Sequence, residues 1–443
     1  MTEEGRGSPA GTNDATRRPD ACRGPALPPP ERGSNDPLLT LVLTVGASLL
    51  AAGAETERVE DSIARLAHAY GHPQVECFAV PSGVFVSLED GRAAGLRRVG
   101  NRGVDLGRLA DWNDLSRRLV RERPDWETAQ AWVRDAQRGS FRYPHTSTLL
   151  TAGLGNAAFA LILGGRPLEA TLAFVAGLIV QAGFPVDVRS FTPRFFHAAV
   201  GGLLAVLVAV TGARVWPDAV RPGIVVTGAI VLLVPGISLT AAVRDMLTGD
   251  FLAAAGRTLE ALVMAAALAF GVALGSESFA HVLSLGVLLR GTHAVRPLDA
   301  VAVIAAAAAA TSYAILWNAP PRVLPACALA GAAAFVAAGL FGVPGGTLPV
   351  FFGGSVVSAV AELGAQRLRV PTITILSPGI LPLVPGFLAY HSILGFAFGD
   401  YTAGIRDMIF TVFWAGGIAM GVAAVTLVFR SLARPPTDGP GRP

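Results

Sequence analysis

Two Pro-Gly pairs, Pro235-Gly236 and Pro385-Gly386, sit inside long apolar stretches of this chain. Proline removes a backbone donor and clashes with the preceding helical turn. Glycine lets the chain leave helical geometry. At membrane depth, unwound backbone is tolerated where it is buried in protein or lines a cavity. Its half-helix ends offer N–H and C=O groups to the carboxylate and ammonium of a zwitterion. The simpler alternative is an ordinary proline kink. The two sites are also copies. Ile230, Leu233, Val234, Pro235, Gly236 and Gly249-Asp250 return as Ile380, Leu383, Val384, Pro385, Gly386 and Gly399-Asp400, at a constant offset of 150 residues. Paired interruptions at matching positions of two apolar halves point to a secondary transporter and its substrate site. Asn156 and Gln181 join the four Pro-Gly residues as substrate-binding candidates, with helix–helix hydrogen bonding as the alternative for both.

Ionisable residues within the apolar stretches are few: Glu169, His197, Glu260, Glu362, His391 and Asp407. A charge there is costly to bury, so each is a functional candidate. Glu260 and Glu362 are the preferred proton-coupling carboxylates. Asp250 and Asp400 are further gate or coupling candidates, the alternative being a turn whose Asp caps a helix. All 35 basic residues are Arg, so there is no Lys nucleophile or Schiff base to consider. Cys22, Cys77 and Cys327 form neither a disulfide framework nor a metal-ligand spacing, and no metal or cofactor is expected.

These residues need a frame. The 443 residues are 52% hydrophobic and 15% charged, with mean hydropathy +0.52, against roughly 25% charged residues in a soluble protein. The net charge of +3 is too small to suggest nucleic acid. The polar deficit begins near residue 145. The composition predicts a predominantly α-helical polytopic membrane protein behind a small α+β soluble domain. Ten spans are expected near 147–164, 168–186, 194–212, 221–243, 255–275, 297–317, 321–341, 345–366, 371–395 and 404–429. Five spans per repeat is an odd number, so the second half enters from the opposite face, giving an inverted 5+5 repeat. Loop arginines such as Arg244, Arg257, Arg322, Arg367, Arg369 and Arg430 favour the N-domain side. They place both termini in the cytoplasm.

Residues 1–36 form a disordered tail by composition. A soluble, cytoplasmic domain follows over 37–143, then a first membrane repeat over 144–290, a second over 291–430, and a tail over 431–443. Pro37–Ala54 reads as a buried helix capped by Asp36. Its rival is a signal peptide with Leu38–Leu50 as the apolar region and Ala52-Gly53-Ala54 as the cleavage site. An amphipathic helix over 55–72 comes next, then strands Val75–Val80 and Val84–Leu88 about the turn Pro81-Ser82-Gly83. Gly91–Gly103 reads as a basic loop, and Leu106–Val120 and Trp126–Val133 as helices. Ser82 lacks a nucleophile frame, and His68, His72 and Glu76 do not share a helical face.

The segment Gly53-Ala54-Glu55-Thr56-Glu57-Arg58-Val59-Glu60, with Tyr70-Gly71 and Val80-Pro81-Ser82-Gly83, resembles the N-terminal domain of the threonine/serine exporter family. The order of soluble domain and two five-span halves is similar too, and the likeness covers about residues 37–430. The resemblance implies export of threonine or serine across the plasma (inner) membrane, driven by protons through alternating access. Some two-component relatives are associated with dicarboxylates, which gives an alternative solute. The family's N-domain has been likened to hydrolases, so a membrane-anchored hydrolase is the competing class. Ser82 stands where the family usually has Thr, which weakens a nucleophile there. Arg58 and Glu60 are expected to pair as a helix-terminal salt bridge. Nothing in the sequence sets the oligomeric state.

Overall fold

The computed structural model describes residues 36–88, 93–100, 103–139, 141–183, 194–247, 249–279, 298–342, 346–383 and 386–433. The first helix, α1 (Pro37–Ala51), starts where Asp36 caps it: Asp36 Oδ1 accepts from Leu38 N at 2.8 Å and Leu39 N at 3.2 Å. Its residues are apolar on every side, so it must be enclosed. It fills the centre of the N-domain, against α2 (Thr56–Ala69), α3 (Leu106–Glu122), α4 (Trp126–Gln137) and the sheet.

That sheet is antiparallel, in the order β1 (Val75–Val80), β2 (Gly83–Leu88), β3 (Ala93–Arg98). The third strand corrects the loop expected over 91–103. Ala93–Arg98 lacks the β-branched residues that advertise a strand. Position rescues it, because Gly95 lies so close to Leu39 and Leu43 that a Cβ would have no room. Arg97 reaches back to Thr44 Oγ1 at 2.5 Å.

From residue 145 the chain is a helical bundle. The first half holds α5 (His145–Ile162), α6 (Pro167–Gly183), α7 (Arg194–Val215), α8 (Pro222–Ile230), α9 (Gly236–Leu247) and α10 (Phe251–Ser278). The second holds α11 (Ala300–Leu316), α12 (Leu324–Leu340), α13 (Thr347–Leu368), α14 (Ile373–Ile380), α15 (Gly386–Ala397) and α16 (Tyr401–Ala433). Helix α16 thus runs through 431–433, which were expected in the tail; Val282–Leu289 and residues 434–443 lie outside the described residues.

The expectation of ten spans is met in part. Among the described residues, five helices are long and apolar enough to cross a bilayer alone: α7, α10, α12 with its lead-in from Pro321, α13 and α16. The pair Ile373–Leu383 and Gly386–Ala397, bent by 51°, makes a sixth if taken as one span. Helices α6 and α11 are apolar but have 17 residues each.

Among the described α-helices, the main packed pairs of one half recur in the other. Helix α5 packs on α6 and α8, and α11 on α12 and α14; α7 packs on α10, and α13 on α16. The details repeat as well. Gly202 abuts Leu268 O, and Gly354 abuts Ile418 O. Gly201 faces Leu233, and Gly353 faces Leu383. Helix α5 ends on Gly164 in the left-handed region and α11 ends on Asn318 there (φ 77° and 59°). The closing bonds agree: Gly165 N to Ala160 O and Ala319 N to Ala314 O, both 2.8 Å. Across the halves, α5 packs on α11, α9 on α15, α10 on α15 and α9 on α16.

Candidate functional site

The first break is the chain between α8 and α9. Leu233 N, which would serve Ala229 O in a continued helix, bonds Ile230 O instead at 2.8 Å. Pro235 has no N–H for Val231 O. Two side chains replace the missing donors. Asn156 Nδ2 from α5 donates to Ala229 O, and the Tyr313 hydroxyl from α11 donates to Val231 O, both at 2.8 Å. An orphaned carbonyl in this buried place would cost about 1–3 kcal/mol. Asn156 therefore does what its alternative reading anticipated. Its Oδ1, buried with the rest of the side chain, has no hydrogen-bond partner. Tyr313 was missed by sequence reasoning. The signal was available: a proline at 235 requires a substitute donor for residue 231.

The second break lies between Leu383 and Gly386. Pro385, one of the predicted site residues, falls outside the described residues with Val384. Gly386 opens α15 and is buried. A Cβ on it would strike Val234 Cγ1 and come within 3.4 Å of Gly236 Cα. The two breaks, 150 residues apart in sequence, therefore touch. An aromatic group follows: Phe387 meets His391 at 6.2 Å and Trp414 at 5.9 Å between ring centres. Trp414 Nε1 is a buried donor without a partner. Pro235 precedes α9, and its carbonyl accepts from Leu239 N at 3.1 Å. Gln181 is buried near the end of α6, one residue past Val180, which approaches Gly201.

The charged candidates lie away from this contact. Asp250 Oδ1 caps α10 by accepting from Ala253 N, and Asp400 Oδ1 caps α16 by accepting from Ala403 N, both at 3.0 Å. The preceding Gly249 and Gly399 are both left-handed, at φ 88° and 79°. Glu260 is half exposed and pairs with Arg194 at 3.1 Å. Glu362, half-buried on α13, accepts from Thr372 Oγ1 at 3.2 Å. Glu169 is fully buried, and Arg221 grips both of its carboxylate oxygens.

The Glu55–Glu60 segment ties the N-domain to the bundle. Glu55 holds Arg244 of α9 through two bonds of 2.7 and 2.6 Å. Thr56 Oγ1 donates to Asp250 at 2.7 Å, and Glu57 faces Arg430 of α16 at 3.3 Å. The expected Arg58–Glu60 bridge is not formed. Arg58 donates to Asn113 Oδ1 at 2.9 Å, while Glu60 accepts from Ala79 N of β1 at 2.8 Å. Helical geometry separates residues two apart onto different faces. A second seam joins Leu106 N to Trp317 O (2.8 Å) and Asn318 Nδ2 to Asp105 Oδ1 (2.9 Å). Within the N-domain, burial pushes the Cys77 thiol up to about 12. Ser82 is exposed in the β1–β2 turn. No group of His, Cys, Asp or Glu suited to a metal occurs among the described residues.

The bundle of long apolar helices defines an integral membrane protein with two interrupted helices in contact. Residues 40–278, more than half the chain, match a family model described as a threonine/serine exporter, and residues 302–428 match a second described as "Threonine/Serine exporter, ThrE". The chain belongs to the threonine/serine exporter family. A protein of Mycobacterium tuberculosis named probable threonine/serine exporter is 28% identical over 358 residues, covering 78% of this chain and 66% of its own length. The threonine/serine exporter of Corynebacterium glutamicum is 24% identical over 426 residues, covering 91% of this chain and 85% of its own. A Klebsiella aerogenes protein named probable succinate transporter subunit YjjP is 26% identical over 234 residues, covering 51% of this chain and 88% of its own. No solved structure matches. The family is described as one of transporters, not enzymes.

Proposed function

We propose that this protein exports threonine and serine across the plasma membrane, with the solute passing between the two broken helices. The observation that carries this reading is the contact of Gly386 with Val234 and Gly236. Breaks far apart in sequence that meet in space are what a single solute path between two halves needs. Asn156 Oδ1 beside the first break and Trp414 Nε1 beside the second are an unpaired acceptor and donor for a polar solute. Gln181 and the Pro-Gly residues complete the proposed lining.

The proposed frame is an inverted repeat of ten spans with both termini cytoplasmic. Its support is directional. Helix α5 starts beside the N-domain, where Tyr143 reaches Ala319 O at 2.7 Å, and its counterpart α11 ends there. Helix α10 starts there at Asp250, and its counterpart α16 ends there at Arg430. Equivalent helices that run in opposite directions suit alternating access. Proton exchange would use Glu362 first and Glu260 second; the capping bonds of Asp250 and Asp400 favour a structural role for those two.

Counterflow of labelled threonine in proteoliposomes tests the reading. Saturable uptake that serine competes away is expected. Its absence, or competition by succinate and not serine, would replace the solute with the dicarboxylate suggested by the YjjP likeness. Unchanged efflux after the pH gradient is dissipated would remove the proton from the cycle.

A further inference from the structure

The start of α2 and the middle of α3 enclose a cavity of about 400 Å³ at the seam with α16. That size suits a small molecule. Its lining is charged, and the charges divide unevenly. Glu55 is engaged by Arg244, and Glu57 faces Arg430, also on the wall. Arg58 and Arg117 have no carboxylate within ion-pair distance among the described residues. Arg58 is largely enclosed, and burial lowers its pKa, an effect to which Arg117 and Arg65 add and Glu55 runs counter. Glu55 and Glu362 act on this guanidinium only at longer range, and Asn113 is its hydrogen-bond partner.

Asn113 supplies an independent sign. It is 7% exposed, its Oδ1 is taken by Arg58, and its Nδ2 has no partner. Arg58, Arg117 and Asn113 thus bring donors to one cavity, and the Asn113 Nδ2 donor is unmet. A planar carboxylate matches such a fork. Glu57 and Asp61, one turn apart on α2 and exposed, stand on the same wall beside Arg430 (3.3 Å) and Arg65 (3.9 Å), and offer an ammonium the anionic partners that a dianion could not use.

We propose that this cavity is a second solute site, which binds an α-amino acid as its zwitterion, carboxylate toward Arg58, Arg117 and Asn113, ammonium toward Glu57 and Asp61. The choice of threonine as ligand rests on the transport reading; the zwitterion does not. Helix α2 also carries Glu55 and Thr56, which hold α9 and the start of α10. The bound amino acid therefore reports to the first break.

Calorimetric titration of the full chain in micelles tests this with L-threonine, L-threoninamide and succinate, alongside Arg58→Gln and Arg117→Gln. Threonine should bind the wild type, with the amide and succinate at least about 10-fold weaker, as the loss of charged hydrogen bonds requires. Each variant should lose at least about 10-fold in threonine affinity at this site. Arg117 is exposed on α3, so its variant stands if Arg58→Gln fails to fold. Threonine binding that ignores both arginines, equal binding of succinate, or no threonine binding overturns the site. Arginine-dependent binding without counterflow would instead leave the site standing and remove the transport reading.

Discussion

At the first break, the helix that leaves Gly236 ends against the N-domain; at the second, the helix that leaves Gly386 ends in a turn held by its own half. Arg244 near the end of α9 is gripped by Glu55, and Asp245 pairs with Arg257 at 2.7 Å. The counterparts 150 residues on are Leu394 and Gly395. Leu394 is buried in the bundle, and Gly395 lets the α15–α16 turn close onto Gly404 N, with no room for a Cβ. The same interrupted helix is thus charged and tethered to the N-domain in one half, and apolar in the other, where its end packs into the first half's core and its turn closes on Gly404. The comparison teaches that matching breaks can be anchored differently: the N-domain grips the helix after the first break by an ion pair, and meets the helix before the second, α14, through α3 and Ile373.

The largest effect should come from prying the breaks apart. Gly386→Val places a branched side chain where Val234 and Gly236 already sit. Counterflow should fall by about 100-fold, because a misplacement of about 1 Å at a working site costs that much. Insertion, followed by the yield of folded protein in membranes, should persist. Normal counterflow would mean that the contact is packing alone and that the two breaks need not act together.

Cutting the tether should matter less, and on one side only. The Glu55–Arg244 pair is bidentate and about three-quarters buried, with side-chain exposures of 23% and 26%. A double-mutant cycle of Glu55→Ala and Arg244→Ala should give a coupling of about 1–2 kcal/mol in the thermal or denaturant stability of the N-domain junction. Glu55→Arg with Arg244→Glu should recover part of it. A coupling near zero would mean that Glu55 does not tether α9 and would erase this asymmetry between the halves, leaving the N-domain held by its other seams, such as Leu106 to Trp317 and Thr56 to Asp250.

Much of this was legible in the residues themselves. The constant offset between the Pro-Gly pairs marked both breaks, because proline and glycine act on their own backbone. Asp36 marked the start of α1 for the same local reason. The content of the site was harder to read. Tyr313 is conspicuous only once Val231 O is known to need a donor from another helix. The roles of Glu55, Thr56 and Glu57 depend on partners about 190 and 370 residues away, at Arg244, Asp250 and Arg430. Strand β3 was hidden because its small residues suit a close approach to α1 instead of advertising a strand.

The smallest expected effect separates a structural carboxylate from a working one. Asp250 and Asp400 occupy matching caps, yet Asp250 also accepts from Thr56 while Asp400 is exposed. Asparagine caps a helix about as well as aspartate. Asp400→Asn should therefore change stability by only a few tenths of a kcal/mol, while Asp400→Ala should cost about 1 kcal/mol. Asp250→Ala should cost somewhat more, since Thr56 loses an acceptor at the N-domain junction as well as α10 losing its cap. Counterflow and its response to a pH gradient should survive Asp250→Asn and Asp400→Asn, because the caps survive. If either Asn variant keeps counterflow but loses its response to the pH gradient, the carboxylate carries the proton. The matching caps would then be more than a relic of duplication, and the search for coupling would move from Glu362 to the turns beyond the two breaks.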